Sequence, residues 1–321
     1  MPVIIARSHR KQMERFSRIT SVTVASIFLA ALSCAAPLWA QSVPALRVTA
    51  PNGATSVMMG AIHIAVEGLL EPNDEILLDA KVLVLEKDPK DPWTGLTRPL
   101  ALSSLSAVTE GKQMPPAPWA RALAPSQIDE ITKRVSCNMR TPLEGARILT
   151  AHFLAQESAV TIQEVSVRPC GGPQQLSREQ YLSGVAEVRG IDLQPLETQA
   201  GTEPLRLSIP NQTYLQHIAA ALGPRAAPAI KQVANALNAG DYDLVASALD
   251  SLTDDAPAKA QYHATMVIGR NMAWLPKLVS FLDAGQAVIV VGAQHLPGRN
   301  GLIQLLKERG YRFETTHLPA R

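Results

Sequence analysis

Two runs of the chain are apolar at every position, Val82-Leu83-Val84-Leu85 and Ala287-Val288-Ile289-Val290-Val291. Continuous runs of this kind predict strands covered on both faces, the pattern of a parallel sheet between layers of helices. Leu46–Ala50 and Ser56–Ile64 flank Pro51-Asn52-Gly53, which predicts a β-hairpin. Ile191–Leu196 predicts a short further strand. Elsewhere the hydrophobic period turns helical. Asn73-Asp74 can cap a short helix through Ala80, and Ser126 and Asp129 bracket another start. Thr141-Pro142-Leu143-Glu144 reads as a capping box opening a helix through Ala155. Ser177 and Gln180 repeat the device before Tyr181–Val188, with Gly190 as the stop. Thr213–Leu252 holds two or three helices broken at Gly223 and Gly240-Asp241, and Tyr262–Leu282 predicts a helix bent at Pro276. Leu302–Arg309 and Tyr311–Thr315 then complete a β-α-β ending, which predicts parallel strands and a right-handed crossover. The expected fold class is α/β, with a central mixed, largely parallel sheet flanked by helices and a helical middle segment. The Pro-rich stretch Pro89–Pro118 predicts a long loop, a lid or an insertion.

The first forty residues stand outside this pattern. Arg7, Arg10, Lys11, Arg15 and Arg18 precede an apolar run from Val22 to Leu38, and Leu38-Trp39-Ala40 puts a small residue before Gln41. This predicts a signal peptide over residues 1–40, with a mature domain over 41–321 in the periplasm or secreted. An uncleaved anchor, giving membrane association, and a lipoprotein cut before Cys34 are the alternatives. The leader also carries the charge imbalance. The chain has 30 Lys+Arg against 28 Asp+Glu, whereas residues 41–321 hold 25 against 27. No basic stripe with interleaved aromatics appears, so nucleic acid is not an expected partner. In an oxidising compartment Cys137 and Cys170 suggest one disulfide, and two unpaired core thiols are the other reading.

Chemistry concentrates where strands end. Val57-Met58-Met59 runs into Gly60-Ala61-Ile62-His63, Val82–Leu85 into Glu86-Lys87-Asp88, Ile191–Leu196 into Glu197-Thr198, and Val288–Val291 into Gly292-Ala293-Gln294-His295. In an open α/β sheet ligands bind beyond the carboxyl ends of the strands. If these four are parallel neighbours, His63, Glu86, Glu197 and His295 share one rim, and Gly60 and Gly292 let a ligand approach the backbone. Two imidazoles and a carboxylate suit manganese, cobalt or zinc. Arg270-Asn271, on the helix before the last buried strand, can hold a substrate carboxylate or a developing oxyanion. Each residue also has a plain structural use, as a strand-end hydrogen-bonding group or a solvated charge. His152, His217, His263 and His317 have no partner pattern and read as structural. No His-Glu-x-x-His, Gly-x-Ser-x-Gly, P-loop or Cys-x-x-Cys is present.

Met59-Gly60-Ala61-Ile62-His63, Asp79–Glu86, Leu196-Glu197-Thr198, Arg270-Asn271 and Val290–Gly298, followed by Gly301-Leu302-Ile303 and Gly310-Tyr311, resemble the TraB/GumN family in content and order. That family is similar to the Tiki proteins, membrane-tethered metalloproteases needing manganese or cobalt, and is related to erythromycin-esterase-like and ChaN-like proteins. The resemblance implies a metal-dependent hydrolase, peptidase-like, acting on a peptide or small-molecule substrate. It implies His63, Glu86 and His295 as metal ligands or catalytic groups, with Glu197, Arg270 and Asn271 completing the pocket. In that scheme Glu197 is the general base and Arg270 or Asn271 the oxyanion or substrate clamp. Lys87 departs from the family pattern by setting an ammonium beside the expected cation site. Two rival uses of the same pocket are a non-catalytic periplasmic binding protein, for haem, a metal or a signalling peptide, and a metal-free esterase.

Overall fold

Every residue of Ala287–Gly292 is buried, and this strand lies in the interior of a six-stranded sheet of order β4-β3-β5-β2-β1-β6. The computed structural model describes residues 41–88, 90, 114–170 and 176–321. The leader at residues 1–40 and most of the Pro89–Pro118 stretch lie outside the described residues. The strands are β1 (Ser42–Thr49), β2 (Thr55–Ala61), β3 (Val82–Leu85), β4 (Asp192–Pro195), β5 (Ala287–Gly292) and β6 (Arg312–Pro319). β2, β5, β3 and β4 form a continuous parallel set. β1 pairs antiparallel with both β2 and β6. The protein is therefore α/β with a mixed, largely parallel sheet flanked by helices.

The ending differs from the β-α-β expectation in its pairing. β6 runs in the direction of β5 but is separated from it by β2 and β1, and its ladder partner is the antiparallel β1 along all of Ser42–Thr49. The reason is burial. No residue of β6 is buried, as suits an edge, whereas β5 is apolar throughout and takes the interior between β2 and β3.

The described helices are α1 (Pro125–Asn138), α2 (Leu143–Leu154), α3 (Val160–Ser166), α4 (Arg178–Arg189), α5 (Gln199–Leu207), α6 (Asn211–Leu222), α7 (Ala226–Ala239), α8 (Tyr242–Asp250), α9 (Ala256–His263), α10 (Arg270–Ala284) and α11 (Leu302–Lys307). α4 carries the expected caps. Ser177 and Gln180 form the reciprocal box, and Gly190 closes the helix in the left-handed conformation at φ 68°. The expected box at Thr141 is not made. α2 opens at Leu143, flanked by Pro142, without a side-chain cap.

Side chains of α7, α8, α10 and α11 pack on one face of the sheet against Met58, Val84, Ile289 and Val291. Leu182 and Ala186 of α4 cover the other face, against Met59, Leu83, Leu85 and Val290. The helical middle has its own core, in which Ile131, Val135, Phe153, Ile162, Tyr214 and Ile218 meet without a strand between them. A disulfide joins Cys137, in the last turn of α1, to Cys170 across 33 residues. Replacing both cysteines by serine is expected to destabilise the protein by about 2–4 kcal/mol, mainly by freeing the unfolded chain. Urea unfolding of the double variant beside the wild type measures this, and equal midpoints would contradict it. Among the described residues no helix is long and apolar enough to cross a membrane.

Candidate functional site

The four parallel strands bring four strand-end side chains to one rim. Glu86 follows β3 and is buried in the middle of the group. Its Oε1 accepts the Gly292 backbone N–H at 2.5 Å, and its Oε2 accepts from Arg270 at 2.6 Å. His63 Nε2 lies 3.5 Å and His295 Nε2 3.7 Å from that same Oε1. Each imidazole is anchored through its other nitrogen. His63 Nδ1 is 2.8 Å from Glu179 Oε1, and His295 Nδ1 is 2.7 Å from Asn271 Oδ1. Asn271 is 0% exposed and spends its amide N–H groups on the carbonyls of His295 and Asn300. Its Oδ1 is therefore an acceptor, His295 Nδ1 carries the proton, and the lone pair sits on Nε2.

Gly292 is what lets these groups converge. A Cβ there would stand 2.8 Å from Glu86 Oε1 and 3.1 Å from His63 Nε2. Gly60, the matching glycine on β2, serves another purpose. A Cβ at Gly60 would strike the Tyr242 ring at 2.5 Å, and the Gly60 N–H donates to the Tyr242 hydroxyl at 3.1 Å. The expected ligand approach at Gly60 is thus taken by a tyrosine of α8.

Arg270 is the hub of the polar network. Its Nε and one terminal nitrogen make a two-point contact with Glu197 at 3.0 and 2.6 Å, and that terminal nitrogen also reaches Glu86. The other terminal nitrogen donates to the Met266 carbonyl at 3.2 Å and to His295 Nε2 at 3.2 Å. All five N–H groups of the guanidinium are engaged. Trp274 completes the cradle. Its ring lies 4.5 Å from the Arg270 guanidinium carbon and its Nε1–H donates to Glu197 Oε2 at 2.8 Å. Both oxygens of Glu197 are thereby used, and Lys87 Nζ, held by Gln199 at 2.8 Å, stands 3.7 Å from Glu197 Oε1. The expected general base and one expected clamp, Glu197 and Arg270, therefore bond each other, and the other clamp, Asn271, is committed to His295 and Asn300.

Arg270 and Asn271 reach the rim from a widened helix. Ala264–Gly269 is a π-helical segment joining α9 to α10, and such segments recur at functional sites. The sequence reads this region as a plain helix, because hydrophobic spacing does not resolve one inserted residue. Glu179 is not legible in the sequence, because Ser177–Gln180 already reads as a capping box. A buried carboxylate in a helix's first turn is a tertiary fact. Glu71 and Arg178, a buried ion pair at 3.1 Å, were hidden for the same reason.

Electrostatics divide the two histidines. Burial pulls His295 down to about 3, with the Arg270 charge adding to it against the attraction of Glu86. Burial acts against charge on His63 too, but Glu86 and Glu179 outweigh it and raise the group to about 10. The His63 side chain is 55% exposed, so water softens that rise. The carboxyl of Glu86 lies well below its ordinary range because His63, Arg270 and His295 overcome its desolvation. Burial, with help from Arg206 and Arg270, brings Lys87 down to about 8.

These shifts give a signed expectation for the metal-free protein. His295 contributes stability that is complete above the unfolded value of about 6.5 and is lost as pH falls toward about 3. His63 contributes stability that is complete below about 6.5 and is lost as pH rises toward about 10. Together the two histidines favour folding most near pH 6.5, the lowered Lys87 returns part of the alkaline loss above about 8, and His63→Gln should remove the alkaline fall. Denaturant unfolding at several pH values checks this, and a wild-type profile flat from about pH 5 to 9 would contradict it.

A divalent cation can be tested against these residues. Two imidazoles with outward Nε2 atoms, both fixed at Nδ1 by neighbouring acceptors, and one carboxylate oxygen make a donor set of the right chemistry. The space that a Gly292 side chain would fill lies among them. Among the described residues no ready-made coordination group is present. The Arg270 N–H at His295 and the proton favoured on His63 are the positive charges the group faces as it stands. The donor chemistry fits, with those two cations as its competitors.

Residues 45–315 match the TraB/PrgY/gumN family. No curated protein and no solved structure matches the chain.

Proposed function

This chain belongs to the TraB/PrgY/gumN family, and from that premise we propose an exported metal-dependent hydrolase, acting by preference on peptide bonds. One observation carries the reading: two imidazole Nε2 atoms are aimed at a single oxygen of a buried carboxylate, each ring fixed from behind through Nδ1. His63, Glu86 and His295 would hold manganese, cobalt or zinc. Such a cation supplies a bound water of lowered pKa and polarisation of a scissile carbonyl. The half-exposed edge of His63 gives the substrate its way in. Asn271 keeps the His295 lone pair on Nε2. Arg270 neutralises the second oxygen of Glu86, and Glu197 holds Arg270 there. Glu197, Arg270 and Asn271 are thus positioning residues in this scheme, with the chemistry left to the three groups around Gly292. Export is supported by the basic and apolar leader and by the Cys137–Cys170 disulfide, a bond that persists in oxidising compartments.

The metal-free alternative rests on Arg270, whose guanidinium sits among Glu86, Glu197 and His295 as an internal cation. Hydrolysis of a peptide library by the purified protein, before and after exhaustive chelation, separates the two. The proposal expects cleavage that chelation abolishes and added manganese, cobalt or zinc restores. Full activity after chelation supports the metal-free esterase. A coloured protein with bound haem and no hydrolysis supports the binding role.

A further inference from the structure

His63 lies in the irregular stretch that follows β2, and its ring is half in water, so its own segment does little to fix it. The first turn of α4 does that work. Arg178 donates to the Gly60 carbonyl at 2.5 Å, to the Leu70 carbonyl at 2.7 Å and to Glu71 at 3.1 Å, which ties together the two ends of the loop carrying His63. The next residue, Glu179, grips the ring in the middle of that loop. Its Oε1 is 2.8 Å from Nδ1, while its Oε2 is buried with no hydrogen-bond partner among the described residues. A buried carboxylate oxygen without a partner is costly, and only part of that cost is offset by the helix amino end on which Glu179 sits. The only hydrogen bond this side chain makes among the described residues is with the histidine.

The geometry points to Glu179 as a positioning residue that accepts the hydrogen bond of His63 Nδ1–H and turns Nε2 toward Glu86 Oε1. It does for His63 what Asn271 does for His295, from the opposite side of the sheet's rim. A carboxylate behind an imidazole also raises the basicity of the facing nitrogen, which strengthens that nitrogen as a ligand. This assignment rests on the metal reading above.

The test is the dissociation constant for Mn²⁺, Co²⁺ or Zn²⁺, measured on the full chain by competition with a chromophoric chelator, with a melting curve for each variant. Glu179→Ala and Glu179→Met, which remove the acceptor, are expected to weaken binding roughly 10–100-fold, the usual effect of losing a ligand's outer partner. Glu179→Gln keeps an acceptor for Nδ1–H and is expected to recover most of the affinity. Ser177→Ala removes the cap of the same helical turn without touching His63, and is expected to leave affinity unchanged. Glu179→Met binding like the wild type would overturn the assignment, as would equal weakening by Ser177→Ala. A wild type that takes up none of the three metals overturns the metal reading itself, and is seen before any variant is compared.

Discussion

Arg270→Met is expected to destabilise the protein by about 3–5 kcal/mol, the cost of removing one partner from a buried ion group. Methionine fills much of the volume, so the loss is electrostatic. Glu86 and Glu197 would be left with two carboxylates facing the gap, and Glu86 would keep only the Gly292 N–H and the histidines as partners. The Arg270 guanidinium is held above its ordinary range because these two carboxylates outweigh its burial, which is the same coupling seen from the other side. Glu86→Gln with Glu197→Gln in the Arg270→Met background should recover a substantial part of the loss, since the uncompensated charges are gone. Urea unfolding of the set measures this. A single variant within about 0.5 kcal/mol of the wild type, the ordinary range of a surface change, would contradict it.

Gly292→Ala is expected to silence the site while the sheet still forms. The added methyl would lie 2.8 Å from Glu86 Oε1 and 3.1 Å from His63 Nε2, both tighter than ordinary contacts. Glu86 cannot retreat freely, because Gly292 N–H holds one of its oxygens and Arg270 the other. Glu86 Oε1 must nevertheless shift, at the expense of its bonds to Gly292 and Arg270, and His63 gives by a few tenths of an ångström beside it. Displacement of a reacting group by about 1 Å costs on the order of 10²-fold in rate, and metal affinity should fall with it. Overpacking of this kind also costs roughly 1–3 kcal/mol in stability. Gly184→Ala is the matched control, since no atom lies within 4 Å of the added methyl and the position is helical. It is expected to be neutral or slightly stabilising. Metal binding and peptide hydrolysis unchanged in Gly292→Ala would contradict the placement of the site.

Much of this arrangement is legible in the sequence because two simple signals coincide. Val82–Leu85 and Ala287–Val291 are apolar throughout, so they must be interior strands, and each ends in a polar group. Parallel packing then brings Glu86, Glu197, His63 and His295 to one edge, as the order β4-β3-β5-β2 shows. The pairing of β6 was not legible, because an edge strand can join either side of a sheet and its partner is set by what is left uncovered. Roles within the site were also hidden. Glu197, Arg270 and Asn271 read as groups available to a substrate, whereas the bonds of Arg270 to Glu197 and of Asn271 to His295 depend on distances between remote segments. Gly60 and Gly292 look equivalent in sequence, yet one makes room for Tyr242 and the other for the site. Glu179 lay inside a capping pattern that explains its neighbours and conceals its own contact with a histidine 116 residues away.

The most direct measurement is a titration of the purified, metal-stripped protein with manganese, cobalt and zinc, followed by calorimetry and elemental analysis, beside His63→Ala and His295→Ala. Three ligands on one centre predict about one equivalent of bound metal in the wild type, weakened to near background in each variant, since a site that loses one of three protein ligands cannot hold the ion as tightly. Metal uptake by both variants equal to that of the wild type would contradict a shared centre at His63, Glu86 and His295.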